Sequence, residues 1–255
     1  MNLADTVILG IIQGLTEFLP ISSDGHLAAA GLIGLVREEV TPTVAVMLHS
    51  GTLAALLVWF WRDALTVITS RRDLIRPLVL ATIVTAAVAI PLEKLIDKSY
   101  QSAIMIGLGF IGTALLLAAG EWSMRASRPP GVRVGWPASL VIGLLQGLAV
   151  LPGLSRSGST MAAGFMAGLE RDAAVRFAFL LGIPAIGGAV LLKAPELAAT
   201  EGWGIMAAAF GVSFVTGLAA LALLFRALRS RYFVLFAVYT LLAGTGLLIY
   251  GLRMP

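Results

Sequence analysis

Six apolar runs, at 43–61, 77–95, 103–122, 173–193, 203–225 and 232–250, each approach the roughly 17 to 25 residues that carry a helix across about 30 Å of hydrocarbon. Two further apolar stretches break the pattern. "GIIQGLTEFLPISSDGH" at 10–26 and "GLLQGLAVLPGLSRSGST" at 143–160 are interrupted near their middles by Pro20 or Pro152 and by a serine-rich turn. Proline removes a backbone donor, and a polar turn cannot be left facing lipid, so neither stretch predicts a plain span. Each predicts a helix–turn–helix hairpin that enters and returns on one side, over about 3–36 and 137–168.

The two hairpins resemble each other. Both read Gly-apolar-apolar-Gln-Gly-Leu, then a proline, then a serine-rich turn ending in glycine, and Gln13 to Gly25 is the same twelve-position step as Gln146 to Gly158. This predicts a repeat, 1–122 and 136–255, joined by a basic linker at 123–135 that contains "RASRPPGVR". One hairpin followed by three spans makes an odd number of crossings, which turns the second half upside down. The expected fold is an all-α integral membrane protein of two inverted-topology repeats. Each is a re-entrant hairpin plus three transmembrane helices, with the polar tips meeting near the midplane.

Composition agrees with a bilayer: 58% of the 255 residues are hydrophobic and 13% charged, with a mean hydropathy of +0.94. Cysteine is absent, which removes disulfides, thiolate metal sites and cysteine nucleophiles. The N-terminal stretch has no basic residue before Arg37 and no small-residue cleavage site, so it is expected to be retained rather than cleaved. A net charge of +4 raises nucleic acid as a partner, but the basic residues sit in short loops between apolar runs and predict topology instead. With the first hairpin entering from outside, twelve arginines, Arg62 to Arg231, fall on the inner side. Only Arg37, Lys94, Lys98, Lys193 and Arg253 fall outside. That asymmetry places both termini outside.

The polar residues of the hairpins are the candidate chemistry. Gln13 and Glu17 share a helix face, and a carboxylate at bilayer depth is costly enough to be a functional candidate by default. A structural ion pair is the other reading of Glu17. Beyond Pro20, Ser22, Ser23 and Asp24 precede a helix expected to start near Gly25, with Ser23 or Asp24 as its N-cap and His26 in its first turn. Capping alone accounts equally well for the serines. His49, alone in an apolar span, reads as structural. The second tip supplies Ser155, Arg156, Ser157, Ser159 and Thr160 around Gly153 and Gly158, with a helix expected to begin near Gly158. Close backbone approach, hydroxyls, a helix N-terminus and a planar guanidinium fork together suit an anion such as phosphate. Arg156 can also serve simply to neutralise Glu17. Val150 stands four residues past Gln146, where the first repeat has Glu17, so one tip carries acid–base groups and the other an anion clamp.

These signatures resemble those of the undecaprenyl pyrophosphate phosphatase family, also called the bacitracin-resistance proteins. Gln13, Glu17, Pro20, Ser22, Ser23, Gly25 and His26 match its first motif. Pro152, Gly153, Ser155, Arg156, Ser157, Gly158 and Thr160 match its second, and "FAFLLGIPA" at 177–185 is similar to the span that follows it. Gln13 replaces a common glutamate, and Asp24 the usual threonine. The resemblance implies an enzyme of the bacterial cytoplasmic (inner) membrane, open to the periplasm, that removes the terminal phosphate of a polyprenyl diphosphate. It also implies a divalent cation, Mg2+ or Ca2+, with Glu17 the best candidate ligand. Bilayer lipids are the other partners, and a homodimer is compatible. The implied catalytic set is Glu17, Ser23, His26 and Arg156, with Gln13, Ser22, Ser155, Ser157, Gly158 and Thr160 binding the diphosphate. Ser23 is the expected nucleophile and His26 the base or shuttle, with Glu17 orienting it or binding metal. A histidine nucleophile or an activated water fits the same residues. Inverted repeats with broken helices also suit a transporter, so a flippase of the lipid phosphate carrier is the alternative, with an ion channel third.

Overall fold

The computed structural model describes residues 1–37, 40–96, 102–125, 134–195, 202–228 and 233–253, and among them the chain forms ten α-helices and no strand. Helices α1 (Leu3–Phe18) and α2 (Ser23–Leu32) form the first hairpin, followed by α3 (Pro42–Thr69), α4 (Ile75–Ile96) and α5 (Ala103–Arg125). The second hairpin is α6 (Trp136–Leu148) and α7 (Arg156–Met166), followed by α8 (Arg171–Lys193), α9 (Trp203–Leu228) and α10 (Val234–Arg253). The core of the expected linker, 126–133, and the loop at 97–101 lie outside the described residues.

Length separates the hairpins from the spans. At 1.5 Å per residue, α1 is about 24 Å long and α2 about 15 Å, too short to cross hydrocarbon. Helix α1 starts at Asn2, whose side chain accepts from the Asp5 amide at 2.8 Å. It stops at Leu19, held extended at φ −67°, ψ 144° because the Pro20 ring disfavours helical backbone in the residue before it. The six helices α3, α4, α5, α8, α9 and α10 are long and apolar enough to cross a membrane. They leave Leu57, Val58, Trp61, Leu115 and Leu242 exposed, an apolar surface that belongs in lipid rather than water. The chain is an integral membrane protein.

Both tip helices begin two residues earlier than expected. Ser22 caps α2 and Ser155 caps α7, each accepting from the amide three residues on, Gly25 at 3.4 Å and Gly158 at 3.1 Å. The glycines therefore close the first turn instead of opening the helix.

Helix α1 packs against α9, and α6 against α4. At the first contact Thr216 Oγ1 lies 3.2 Å from the Gly10 carbonyl oxygen, and at the second Thr85 Oγ1 lies 3.2 Å from that of Gly143. Helices α5 and α10 cross at Gly107 and Gly244, where a Cβ on either would come within 2.8 or 2.7 Å of the other's carbonyl oxygen. An aromatic core of Phe18, Phe60 and Phe179, with the Phe179 ring centroid 5.8 Å from that of Phe18 and 5.3 Å from that of Phe60, anchors the end of α1. Arg171–Glu121 and Arg176–Asp63 ion pairs tie α8 to α5 and to α3.

Candidate active site

The two tips touch. Ser157 Oγ donates to the Leu19 carbonyl at 3.0 Å, and Gly158 approaches Pro20 so closely that a Cβ would lie 3.3 Å from the ring. Gly25 faces Gly153, where a Cβ would meet its Cα at 2.9 Å, and Gly153 itself has φ +83°, which a side chain would strain. Thr113 of α5 braces the second tip. It accepts from the Ser155 amide at 2.8 Å, and its hydroxyl lies 3.0 Å from the Gly153 carbonyl oxygen.

Glu17 is the centre of the constellation. Only 5% exposed, it accepts from Ser23 Oγ at 2.5 Å and from Gln13 Nε2 at 3.0 Å through Oε2, while Oε1 pairs with the Arg156 guanidinium from the other tip. A buried carboxylate at this depth needs such partners, because an unpaired charge costs several kcal/mol. The structure thus brings Gln13, Glu17, Ser23 and Arg156 into one cluster. The ion-pair reading of Glu17 and the carboxylate-partner reading of Arg156 describe the contact seen, and the chemical reading uses the same atoms. The other Arg156 nitrogen, Nη1, lies against Gly182 of α8, where a Cβ would sit 2.9 Å away.

The remaining expected residues divide. Ser22 and Ser155 hydroxyls cap their helices, and Ser155 and Ser157 hydroxyls lie 3.2 Å apart. Thr160 is turned toward Gln146, its hydroxyl 3.3 Å from Oε1 and 2.6 Å from the Arg156 carbonyl oxygen. Gln146 in turn donates to Thr85 at 3.2 Å, whereas Gln13 donates to the acid that the second repeat lacks.

His26 differs from expectation. Glu17 does not orient it. Its Nδ1 is 2.6 Å from the Ser22 carbonyl oxygen and its Nε2 is 2.6 Å from the Tyr239 hydroxyl, so both ring nitrogens are taken by other groups. Glu17 instead holds Ser23, because the α2 helix starts at Ser23 and turns that side chain back toward α1. His49 is not alone either: its Nε2 lies 3.6 Å from Asp24 Oδ1, and its Nδ1 donates to the Ala45 carbonyl at 2.9 Å. Tyr239, Phe110 and Thr113 are the residues that sequence reasoning missed. No motif marks them, because each comes from a span remote in sequence.

Ser159 occupies the place in the second tip that His26 occupies in the first. Its hydroxyl is fully buried and has no hydrogen-bond partner among the described residues. Removing a buried, unpartnered hydroxyl relieves its desolvation cost, so Ser159→Ala should raise stability by about 1 kcal/mol in detergent unfolding. A lower unfolding midpoint in that variant would show that the hydroxyl has a partner.

The family described as "Bacitracin resistance protein BacA" matches residues 6–246. An "Undecaprenyl-diphosphatase" of Korarchaeum cryptofilum is 35% identical over 271 residues, covering 97% of this chain and 99% of that protein. One of Desulfatibacillum aliphaticivorans is 36% identical over 278 residues, covering 98% and 99%. One of Rhodopirellula baltica is 35% identical over 259 residues, covering 99% of each. With a family match that runs from the first hairpin into the last span, the chain belongs to the bacitracin resistance protein BacA family.

Proposed function

We propose that this protein is an undecaprenyl-diphosphatase, which hydrolyses the terminal phosphate from a polyprenyl diphosphate so that the lipid carrier is reused in peptidoglycan synthesis. The observation that carries the reading is the Ser23–Glu17–Arg156 cluster, built from both hairpin tips. The name its relatives carry favours hydrolysis over transport of the carrier.

Phosphoryl transfer needs positioning and charge stabilisation more than covalent novelty. With the diphosphate in place, the Arg156 fork leaves Glu17 for the terminal phosphate oxygens, joined by amides at the starts of α2 and α7 and by the Ser22, Ser155 and Ser157 hydroxyls. Glu17, freed of its cation, takes the Ser23 proton. Ser23 Oγ bonds to the terminal phosphorus, and the bond to the bridging oxygen breaks, releasing the polyprenyl monophosphate. Glu17 passes that proton to the departing polyprenyl monophosphate; water then attacks the phosphoserine, giving a proton to Glu17, which returns it to Ser23 Oγ as the phosphorus–Oγ bond breaks and inorganic phosphate leaves.

A divalent cation fits beside this cluster. Gln13 Oε1 is a buried oxygen without a hydrogen-bond partner among the described residues, next to the Glu17 carboxylate, and hard oxygen donors suit Mg2+ or Ca2+. Among the described residues no three His, Asp or Glu side chains converge, so Gln13 and Glu17 would hold only part of its shell. Bound there, the ion would neutralise charge on the phosphates. Phosphate release from a polyprenyl diphosphate by the purified protein in detergent, with and without a chelator, tests both readings. Release abolished by chelator and restored by Mg2+ or Ca2+ is expected. No release under either condition contradicts the assignment.

The same reading includes two inverted repeats, 1–122 and 136–255, in the cytoplasmic membrane, both termini outside and the site open to the periplasm. Its support is the exchange of partners between halves: the first hairpin lies on α9 and the second on α4, through matching Thr–Gly contacts, while α5 and α10 pack on each other. Because the chain has no cysteine, single cysteines can report sidedness. Arg72→Cys should react with an impermeant thiol reagent only from the cytoplasmic side and Arg253→Cys only from the periplasmic side. Labelling of both from one side contradicts the inverted topology.

A further inference from the structure

Ser22 is the only described residue other than glycine with a positive φ, +70°. L-residues rarely hold that conformation unless surrounding contacts enforce it. The residue that follows it is Ser23, whose hydroxyl reaches Glu17 at 2.5 Å. The conformation of Ser22 therefore sets the aim of Ser23.

One contact bears on the Ser22 carbonyl from outside the backbone: His26 Nδ1, at 2.6 Å. A carbonyl oxygen only accepts, so Nδ1 carries the proton, and in the neutral ring Nε2 is left as an acceptor. The group placed to donate to it is the Tyr239 hydroxyl, 2.6 Å away on α10. The two rings also lie nearly parallel, 6° apart with centroids at 5.7 Å, and the Phe110 ring of α5 meets His26 edge-on at 4.9 Å. Helices α5 and α10, which cross at Gly107 and Gly244, thus grip the imidazole from two sides. The His26 orientation is over-determined, and through it the strained turn.

Resting on the phosphatase reading above, we propose that Tyr239 is a positioning residue for the reaction: through His26 it holds Ser22 in its positive-φ conformation and so keeps Ser23 on Glu17. Tyr239 touches no reacting atom. Its hydroxyl fixes the imidazole, the imidazole fixes the Ser22 carbonyl, and the carbonyl fixes the start of α2. A partner one contact removed from the reacting atoms orients the group that does the chemistry.

Tyr239→Phe keeps the ring and removes only the hydroxyl. Phosphate release from a polyprenyl diphosphate should fall about ten- to hundred-fold in kcat with KM within about two-fold, because the nucleophile is misplaced while the anion contacts remain. Glycine holds a positive φ without strain. In a Ser22→Gly background, the same Tyr239→Phe change should therefore cost about three-fold or less. A merely structural tyrosine would cost the same in both backgrounds, and that result would overturn the proposal. So would a Tyr239→Phe kcat within about two-fold of wild type. A second readout needs no substrate. The Gly25 and His26 amides both bond to Ser22, at 3.4 and 3.3 Å, so amide deuterium exchange in a peptide covering 19–27 should quicken in Tyr239→Phe. Unchanged exchange there overturns the proposal even if the wild-type protein releases no phosphate, an outcome that would strike the phosphatase reading alone.

Discussion

Ser23→Ala protein is expected to insert, fold and bind a polyprenyl diphosphate, yet to release phosphate about 10³-fold or more slowly than wild type. The geometry separates the two roles a serine can play here. Ser22, not Ser23, accepts from the Gly25 amide and caps α2, so the loss of a cap, worth about 1 kcal/mol, does not apply to Ser23. Glu17 keeps Gln13 and Arg156 when the Ser23 hydroxyl goes, so no buried charge is stranded. The unfolding midpoint should therefore move little while single-turnover phosphate release collapses. Near-normal release with normal folding would exclude the serine mechanism and leave water or His26 as the attacking group.

Glu17→Gln should lose activity and stability together. Replacing the carboxylate removes the acceptor for the Ser23 hydroxyl and leaves the largely buried Arg156 guanidinium without its partner. Breaking one partner of a buried pair costs about 3–5 kcal/mol, because the other charge stays behind. Removing both charges avoids that penalty. Glu17→Gln combined with Arg156→Gln should regain most of the stability lost by Glu17→Gln alone, and none of its activity. Thermal unfolding in detergent and phosphate release, measured on the three preparations, give the two answers separately. A double variant as unstable as the single would mean that the pair is not what holds the two tips together.

Much of this architecture is legible in the chain because the breaks carry their own chemistry. Pro20 ends α1 directly, and Pro152, four residues past the end of α6, keeps that helix from resuming before the serine turn. The helix starts were misplaced by two residues, since a serine caps through the amide three positions on and a glycine there resembles a start. Sequence singles out both Glu17 and Arg156, and their contact is among the readings it offers of Arg156, though 139 positions separate them. The surroundings of His26 were not legible. Its partner Tyr239 lies 213 positions away on a span whose pattern is uniformly apolar, and only the packing of α5 against α10 places its hydroxyl on the ring. The same holds for His49, which reads as an isolated polar residue in α3 until α2 folds back and sets Asp24 3.6 Å from it. Local sequence reports where a helix breaks and which groups are costly at depth. Which span supplies the neighbour is decided by tertiary packing.

In the proposed mechanism one tip supplies the nucleophile and its base while the other holds the phosphate, and product analysis in a single turnover probes that division. Purified protein in excess over a polyprenyl diphosphate should yield one equivalent each of inorganic phosphate and polyprenyl monophosphate. Release should be lost when either tip is altered, by Ser23→Ala in the first or by Arg156→Lys in the second, where charge is kept but the bidentate fork is gone. Pyrophosphate as the product, or phosphate release that survives both substitutions, would contradict the account.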